Sequence, residues 1–545
     1  MSHEDAASLS LGAGATRTPS DVAVARRRIG VGALVVVAWL AWSIGLHPLT
    51  LPDEGRYVGV AWEMLRSGNW LIPTENGLPF FHKPPLFYWL TAISMHVFGV
   101  NAAAARLATL VCACLAVAGV FAVTRRRVGE PIATATVLVL TTMPFFFAAA
   151  HYANLDMPVA AFIALAIVFA ADAALALQRG APHRKALVLA WACAALGVLA
   201  KGLIGIVLPG LVIVVWLLTS GQWRTIARLL SPPGIAIFIL IAAPWFVLVE
   251  QQHPGFARYF FVHHHFERFV EHGFNNAQPW WFFFVVLPGL TLPWSLWLGR
   301  VRHSRAASTG GDAASDARRD DLAAWRRLTW IWLATVVVFF SLPQSKPVGY
   351  IMPALFPLAF LVAEPALAAW RSTRAAWRGA VAASVALAVV VCAGAVAWMA
   401  TRYQRDNTAL AHTLRAVRAP GDPVVFVDEY FFDVPLHARL SAPVPVVSDW
   451  HDPAIPTRDN WRRELSEAGE FDRARAAALL VDAQHGFALR CGKAPLWVLV
   501  KRQDEAPVAA MADAARVATS HGASLWRLAP RACASASTSA DRRQP

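Results

Sequence analysis

Apolar runs long enough to cross a bilayer recur along this chain. Ile29–Leu46, residues 203–218 with their flanks, and Gly379–Met399 are three of them. A helix rises about 1.5 Å per residue, so roughly 20 residues cross a hydrocarbon core about 30 Å thick. The chain is therefore expected to be an α-helical polytopic membrane protein. Its 545 residues are 57% hydrophobic and only 15% charged, and its mean hydropathy is +0.45. A soluble domain is nearer half apolar and a quarter charged. The net charge of +14 would suit nucleic acid, but arginine-rich loops beside membrane spans account for it, and no nucleic-acid partner is expected. Residues 1–28 lack a short apolar core with a cleavage site and read as a disordered cytoplasmic tail before an uncleaved first span.

The basic clusters set the topology. They are Arg26–Arg28, Arg125–Arg127, Arg179 with Arg184 and Lys185, Arg224 with Arg228, Arg300–Arg327 and Arg371–Arg378. The positive-inside rule puts all of them in the cytoplasm, so consecutive clusters must be separated by an even number of crossings. Three apolar segments, 29–47, 84–99 and 104–124, lie between the first two clusters. One must fail to cross. Pro84–Gly99 is the shortest and carries Tyr88, Trp89 and His96, so it is expected to lie at the outer interface. The remaining spans are expected near 29–47, 104–124, 131–150, 155–177, 186–200, 203–219, 233–250, 281–299, 328–342, 348–363 and 379–400. That is an odd number, about 11–13 if some split. The transmembrane unit then covers 29–401, with a first external loop at 48–103.

The external loops so defined gather the unusual polar residues. Asp53 and Asp156 supply two separated carboxylates, with Glu54 beside the first. Arg56, Lys83, Lys201, Arg258, Arg268 and Lys346 supply cations, and His263–His265 form a histidine cluster. Tyr57, Tyr259, Phe80–Phe81 and Trp280–Trp281 flank them. Cations at an interface bind phosphate, and a carboxylate can act as general base on a hydroxyl. Such a set suits glycosyl transfer from a lipid-phosphate-linked sugar, because phosphate leaves readily once cations offset its charge. Plainer readings stand beside this one. Asp53 and Asp156 could cap helices, and Lys83 and Lys201 could snorkel. A flippase would need ionisable groups along a path and internal repeats, neither of which is visible.

The stretch "DEGRYVGVAWEMLRSGNWLIPTENGLPFFHKPPLFYWLTAISMHVFGVNAAAARL" resembles the first external loop of the C-type glycosyltransferases. It is most similar to the bacterial lipid A aminoarabinose transferases and their relatives in the protein mannosyltransferase clan. "NLDMPVAAF", "AKGLIGIVLPG", "FARYFFVHHHFERF", "QPWWFFFVVLPG" and "SKPVGYIMPALFP" follow in the order that family has them, over roughly residues 30–365. The resemblance implies an inverting inner-membrane enzyme that takes an undecaprenyl-phosphate-linked sugar on the periplasmic side. It implies Asp53 and Asp156 as the catalytic carboxylates, Lys83 as the lysine on the donor phosphate, and Tyr350 as an active-site tyrosine. It implies His265 as a metal contact. The relatives have Glu before the lysine, and here that residue is His82. A divalent metal such as zinc would then rest on His82 and His265, with His263 or water completing the set. The acceptor expected is lipid A or a related glycolipid, with a protein acceptor as the alternative.

Residues 402–528 change character. "DPVVFVD", "VPVVSDW", "APLWVLVKR" and "SLWRL" read as strands, and "WRRELSEAGEFDRARAAALL" as an amphipathic helix. A small periplasmic α/β domain is expected there, with 529–545 as a disordered tail. Cys112, Cys114, Cys193 and Cys392 lie in apolar segments. Cys491 and Cys533 could pair if the tail faces an oxidising compartment.

Overall fold

The computed structural model describes residues 19–267, 276–303, 313–403, 406–491 and 493–531, without the side chains of 19–22, 25, 263–267, 302–303 and 313–318. Among the described residues, six helices are long and apolar enough to cross a membrane: Ala102–Arg127, Asp156–Gln178, Pro232–Gln252, Arg319–Ser341, Val348–Trp370 and Ala375–Arg402. Two bent pairs raise the number to eight. The protein is a multi-pass membrane protein. The expected span at 131–150 is Glu130–Thr142 and Pro144–Ala150, bent by 70° where Pro144 removes a helical N–H. The one at 281–299 is Phe282–Leu290 followed by Trp294–Val301, bent by 112°. Three other expected spans are helices that length and charge alone do not qualify. Pro19–Ala41 begins among arginines, Arg184–Lys201 has charge at both ends, and Ile204–Thr219 has only 16 residues.

Burial separates centre from rim. The helix Asp156–Gln178 has 89% of its apolar window buried, against 22% for Pro232–Gln252 and Ala375–Arg402. The last two present most of their apolar surface outward, as lipid-facing helices do. Asp156 and Asp172 lie near opposite ends of the central helix, about 24 Å apart along its axis. At the Asp172 end, arginines are neutralised by buried acids. Arg126 and Arg127 both bond Asp172, Arg179 bonds Asp321 at 2.6 Å, and Arg326 bonds Glu364 at 2.7 Å.

The first loop is built on a helix, a hairpin and a second helix. Asp53–Ser67 is the first helix, and it ends on Gly68 at φ +71°, a left-handed cap that favours glycine. Strands β1 (Thr74–Glu75) and β2 (Leu78–Pro79) pair across Asn76-Gly77, both at positive φ. Asn-Gly suits such a tight turn because both residues tolerate φ above zero. The helix Leu86–Phe98 then starts behind Pro84-Pro85. Its 13 residues reach about 20 Å, too short to cross. This is the segment that the parity of the basic clusters singled out.

The C-terminal strands are β3 (Val424–Val427), β4 (Val446–Val447), β5 (Leu480–Val481), β6 (Leu496–Lys501), β7 (Ala514–Thr519) and β8 (Ala523–Leu528). They form one sheet in the order β5-β4-β3-β6-β8-β7. The first four are parallel, and β8 and β7 run antiparallel. Alternate residues serve two cores. Phe426, Trp497, Leu499 and Leu525 meet Leu410, Leu414 and Leu465 on one face, while Val425, Val498, Val500 and Leu528 meet Val508 on the other. That is the period of two that a pleated strand imposes. The expected single helix at 461–480 is two, Trp461–Gly469 and Arg473–Leu479. Asp472 breaks it by accepting from the Arg475 amide as an N-cap.

This sheet region is fastened to the first loop. Asn76 exchanges two hydrogen bonds with the backbone of Val444, at 2.8 and 2.7 Å. Arg475 donates to the Gly77 carbonyl at 2.8 Å, and Arg66 donates to the Ser441 carbonyl. The Tyr403 hydroxyl accepts from the Leu51 amide at 2.6 Å.

Candidate active site

A cavity of about 1160 Å³ opens between the membrane helices and the C-terminal sheet region. Asp53, Arg56, Tyr57, His82, Lys83, Asp156, Lys201 and Tyr350 all line it. Eight candidates scattered over about 300 residues of sequence thus face one space. The cavity is apolar at its membrane end, where Ile163, Val207, Phe339 and Phe340 contribute, and polar under the sheet region.

Each polar side chain is placed by a short local element. Asp53 opens the helix Asp53–Ser67, so its carboxylate sits at a helix N-terminus, where negative charge is favoured. It accepts from Arg56 at 2.6 Å, one turn on. Its other oxygen lies 3.5 Å from the Tyr152 hydroxyl. The carboxylate keeps 42% exposure, so it is available to a ligand. Arg56 has a second anchor in Glu464 of the C-terminal helix Trp461–Gly469, and its guanidinium lies 4.9 Å from the Tyr57 ring centre. Burial pushes the Tyr57 hydroxyl well above its ordinary value, so it remains a neutral donor.

Asp156 opens the central helix in the same manner. It bonds the Lys201 ammonium and lies 3.2 Å from the Asn154 side-chain amide. Lys201 sits 4.4 Å from the Tyr350 ring centre, a cation–π contact. The three residues come from three different segments and form one unit. Gly349 makes room for it. A Cβ there would lie 2.0 Å from Asp156 Oδ2 and 2.7 Å from its Cγ. Gly349→Ala is therefore expected to push the Asp156 carboxylate off Lys201 and lower turnover at least tenfold. The thermal midpoint, measured in detergent, should change by only a few degrees, because the clash falls on a cavity wall rather than in the core.

A scan of protein families matches residues 82–248 to the family described as dolichyl-phosphate-mannose-protein mannosyltransferase. An undecaprenyl phosphate-α-4-amino-4-deoxy-L-arabinose arabinosyl transferase of Pseudomonas fluorescens Pf0-1 is 36% identical over 324 residues, 58% of this chain and 56% of that protein. A Pseudomonas aeruginosa PAO1 protein of the same description is 32% identical over 346 residues, 62% of this chain and 59% of its own length. The match thus spans less than two thirds of these relatives. ArnT from Cupriavidus metallidurans bound to undecaprenyl phosphate superposes with a TM-score of 0.74 at 23% identity, over 92% of this chain and 98% of that one.

This chain has the ArnT fold. Archaeal oligosaccharyltransferase AglB from Archaeoglobus fulgidus is a more distant match at TM-score 0.51 and 12% identity, covering 89% of this chain and 70% of that one. The resemblance read from the first loop, to the aminoarabinose transferases within the C-type glycosyltransferases, agrees with these likenesses.

Within the ArnT fold, some candidates sit away from the cavity. Glu54 is wholly buried. It accepts from Arg106 Nε and Nη2 at 2.8 Å each, from the Ala153 amide at 2.7 Å and from the Thr50 amide at 2.7 Å. Burial opposes its ionisation, but the guanidinium and the amides outweigh burial and hold its carboxyl below the ordinary range. Glu54 is a clamp between the first loop and the helix Ala102–Arg127. Lys346 is also buried and donates to the carbonyls of Gln278, at 2.8 Å, and Pro343. It ties two loops together and is not among the residues that line the cavity. The Tyr259 hydroxyl donates to Glu467 at 2.7 Å, so Tyr259 fastens the C-terminal region instead of lining the cavity. Arg258 is exposed and is not among the lining residues.

Of the metal candidates, only the His82 side chain lies among the described residues. His82 is stacked on Phe80, and its Nε2 lies 3.4 Å from Glu467. The side chains of His263 and His265, and Arg268, lie outside the described residues. No group of three His, Cys, Asp or Glu side chains converges among those described. Among the described residues, His82 and Glu467 are the two potential ligands that meet, and a zinc site takes four.

Several lining residues escaped the sequence reading. Glu429, Asn460, Trp461, Glu464 and Lys501 come from the C-terminal region. No local motif marks them. Only the docking of the sheet region over the first loop brings them to the site.

Proposed function

We propose that the protein is an inverting glycosyltransferase that moves a sugar from a polyprenyl phosphate to an envelope acceptor. The observation that carries this reading is a single cavity, apolar at one end, in which Asp53 and Asp156 face Lys83 and Lys201. The apolar end takes the first prenyl units. Lys83 offsets the charge that develops on the leaving phosphate. Asp53 receives the proton of an acceptor hydroxyl as that oxygen attacks the anomeric carbon and the carbon–phosphate-oxygen bond breaks. Polyprenyl phosphate leaves with both bonding electrons, and Lys201 and Tyr350 hold Asp156 in place beside the sugar.

The relatives' descriptions point to undecaprenyl phosphate-α-4-amino-4-deoxy-L-arabinose as the donor to try first. The same likeness makes lipid A or a related glycolipid the acceptor to try first. Residues 402–528 are taken as a domain of their own on the periplasmic side of the inner membrane, with the amino terminus in the cytoplasm. Cys491 is disulfide-bonded, and a reducing cytosol disfavours such bonds. A protein acceptor is the second reading, favoured by the match of residues 82–248 to the protein mannosyltransferase description.

Incubation of the purified protein with a panel of polyprenyl-phosphate sugars should release free polyprenyl phosphate from one of them. Addition of lipid A or of a Ser/Thr peptide should raise that release only with the true acceptor. No release from any member of the panel would overturn the proposal.

A further inference from the structure

The C-terminal sheet has a topological switch point. From β3 the chain moves to β4 and then β5 on one side, whereas β6 lies on the other side of β3. All four strands are parallel. In open sheets of this kind, ligands bind outside the carboxyl ends of the strands, where the order reverses. Here that place is the gap between the ends of β3 and β6, and it opens into the large cavity.

Two charged side chains occupy it. Lys501 is the last residue of β6. Glu429 follows β3 by two residues, after a turn in which Asp428 takes φ +49° and accepts from the Ser448 hydroxyl at 3.0 Å. That turn aims Glu429 across the gap, where its carboxylate pairs with the Lys501 ammonium. Both residues line the cavity. The pair is only partly hydrated, with Glu429 at 16% and Lys501 at 40% exposure, and burial shifts the Glu429 carboxyl upward. Trp461 lines the same cavity. It opens the helix capped by Asn460, whose side chain accepts from the amides of Arg462 and Arg463, and it is braced edge-on by Trp450 at 5.8 Å.

We infer that this switch-point gap is a carbohydrate subsite, in which Glu429 and Lys501 bind adjacent hydroxyls of the acceptor's sugar headgroup and Trp461 offers the face on which a pyranose packs. The chemistry of the pair favours that ligand. A carboxylate beside an ammonium presents one strong acceptor and one strong donor with no net charge. Vicinal hydroxyls complement both at once, since each can donate and accept. An indole face covers the apolar side of a sugar ring. None of these residues lies in the stretch that matches the family, 82–248. The placement of the sugar as acceptor rests on the transferase reading above; the existence of the subsite does not.

The test separates the two. The full-length protein in nanodiscs is titrated with a glucosamine disaccharide and, in a parallel arm, with a Ser/Thr octapeptide, both without donor. Binding is read by saturation-transfer NMR. The wild type should bind the disaccharide, and Glu429→Gln and Lys501→Met should each weaken it at least tenfold. The charge-swapped pair Glu429→Lys with Lys501→Glu preserves the ion pair and controls for folding. It should recover part of the affinity. With an active donor, the same single variants should raise the KM for the acceptor at least tenfold and leave the donor KM within twofold. Absence of disaccharide binding by the wild type, equal affinity in all variants, or binding of the octapeptide alone would overturn the subsite. If no donor releases polyprenyl phosphate, the transferase reading fails while the disaccharide titration still decides the subsite.

Discussion

Asp53→Asn is expected to lower transfer by roughly 10²–10⁴-fold, the usual worth of a positioned general base, while the protein still inserts and folds. The reason lies in where the carboxylate sits. It is 42% exposed and held by Arg56, and Arg56 has a second anchor in Glu464. Removing one charge there leaves no buried ion without a partner, so the fold loses little. The asparagine keeps the shape and the oxygen that Arg56 contacts, but it accepts no proton at neutral pH. The readout is release of polyprenyl phosphate with the donor and acceptor that support the wild type, alongside the thermal midpoint of both proteins. Wild-type turnover in the variant would remove Asp53 from the chemistry. A loss confined to the acceptor KM would mean that the carboxylate orients the acceptor and does not deprotonate it.

Arg106→Ala is expected to act on the fold instead, at a cost of about 3–5 kcal/mol, as for one partner of a buried ion pair. Arg106 and Glu54 are both at 0% exposure. Arg106 also donates to the carbonyls of Ile44, His47 and Pro48, at 3.0, 2.9 and 2.7 Å. It therefore gathers the end of the first helix, the loop before Asp53 and the start of the helix Asp53–Ser67 at one point. Without it, the Glu54 carboxylate stays buried with no counter-charge. The expected outcome is a large fall in the amount of folded protein extracted from membranes and a lowered thermal midpoint. Glu54→Gln should be milder, because an amide is neutral and still meets some of the donors. If Arg106→Ala folded normally and lost only turnover, Glu54 would belong to the catalytic set and not to the frame.

These two residues show how adjacent positions diverge. Asp53 and Glu54 are neighbours with the same charge, and sequence alone put both among the catalytic candidates. On a helix, successive side chains point about 100° apart, so one faces the cavity and the other the helix Ala102–Arg127. Which is which depends on the helix's rotation about its axis, and Arg106, 52 residues away, fixes that rotation. Lys346 and Tyr259 illustrate the same limit. Their chemistry suits an active site, but in the fold both are engaged with loop carbonyls or with Glu467.

The amino-acid order alone discloses the part governed by the bilayer and by short-range geometry. Apolar runs of about 20 residues can only be helices in lipid, and the parity of the arginine clusters singled out residues 84–99, which contain the 13-residue helix Leu86–Phe98. The carboxylates at Asp53 and Asp156 were visible because both fall in loops that the arginine clusters place on one side. The company they keep is set by the folded arrangement. The pairing of Arg56 with Glu464 spans 408 residues, and that of Lys201 with Asp156 spans 45. The meeting of Glu429 with Lys501 depends on which strands are neighbours in the sheet. Such contacts arise from the packing of whole elements, where many weak apolar contacts select one arrangement, and no local pattern of residues encodes them.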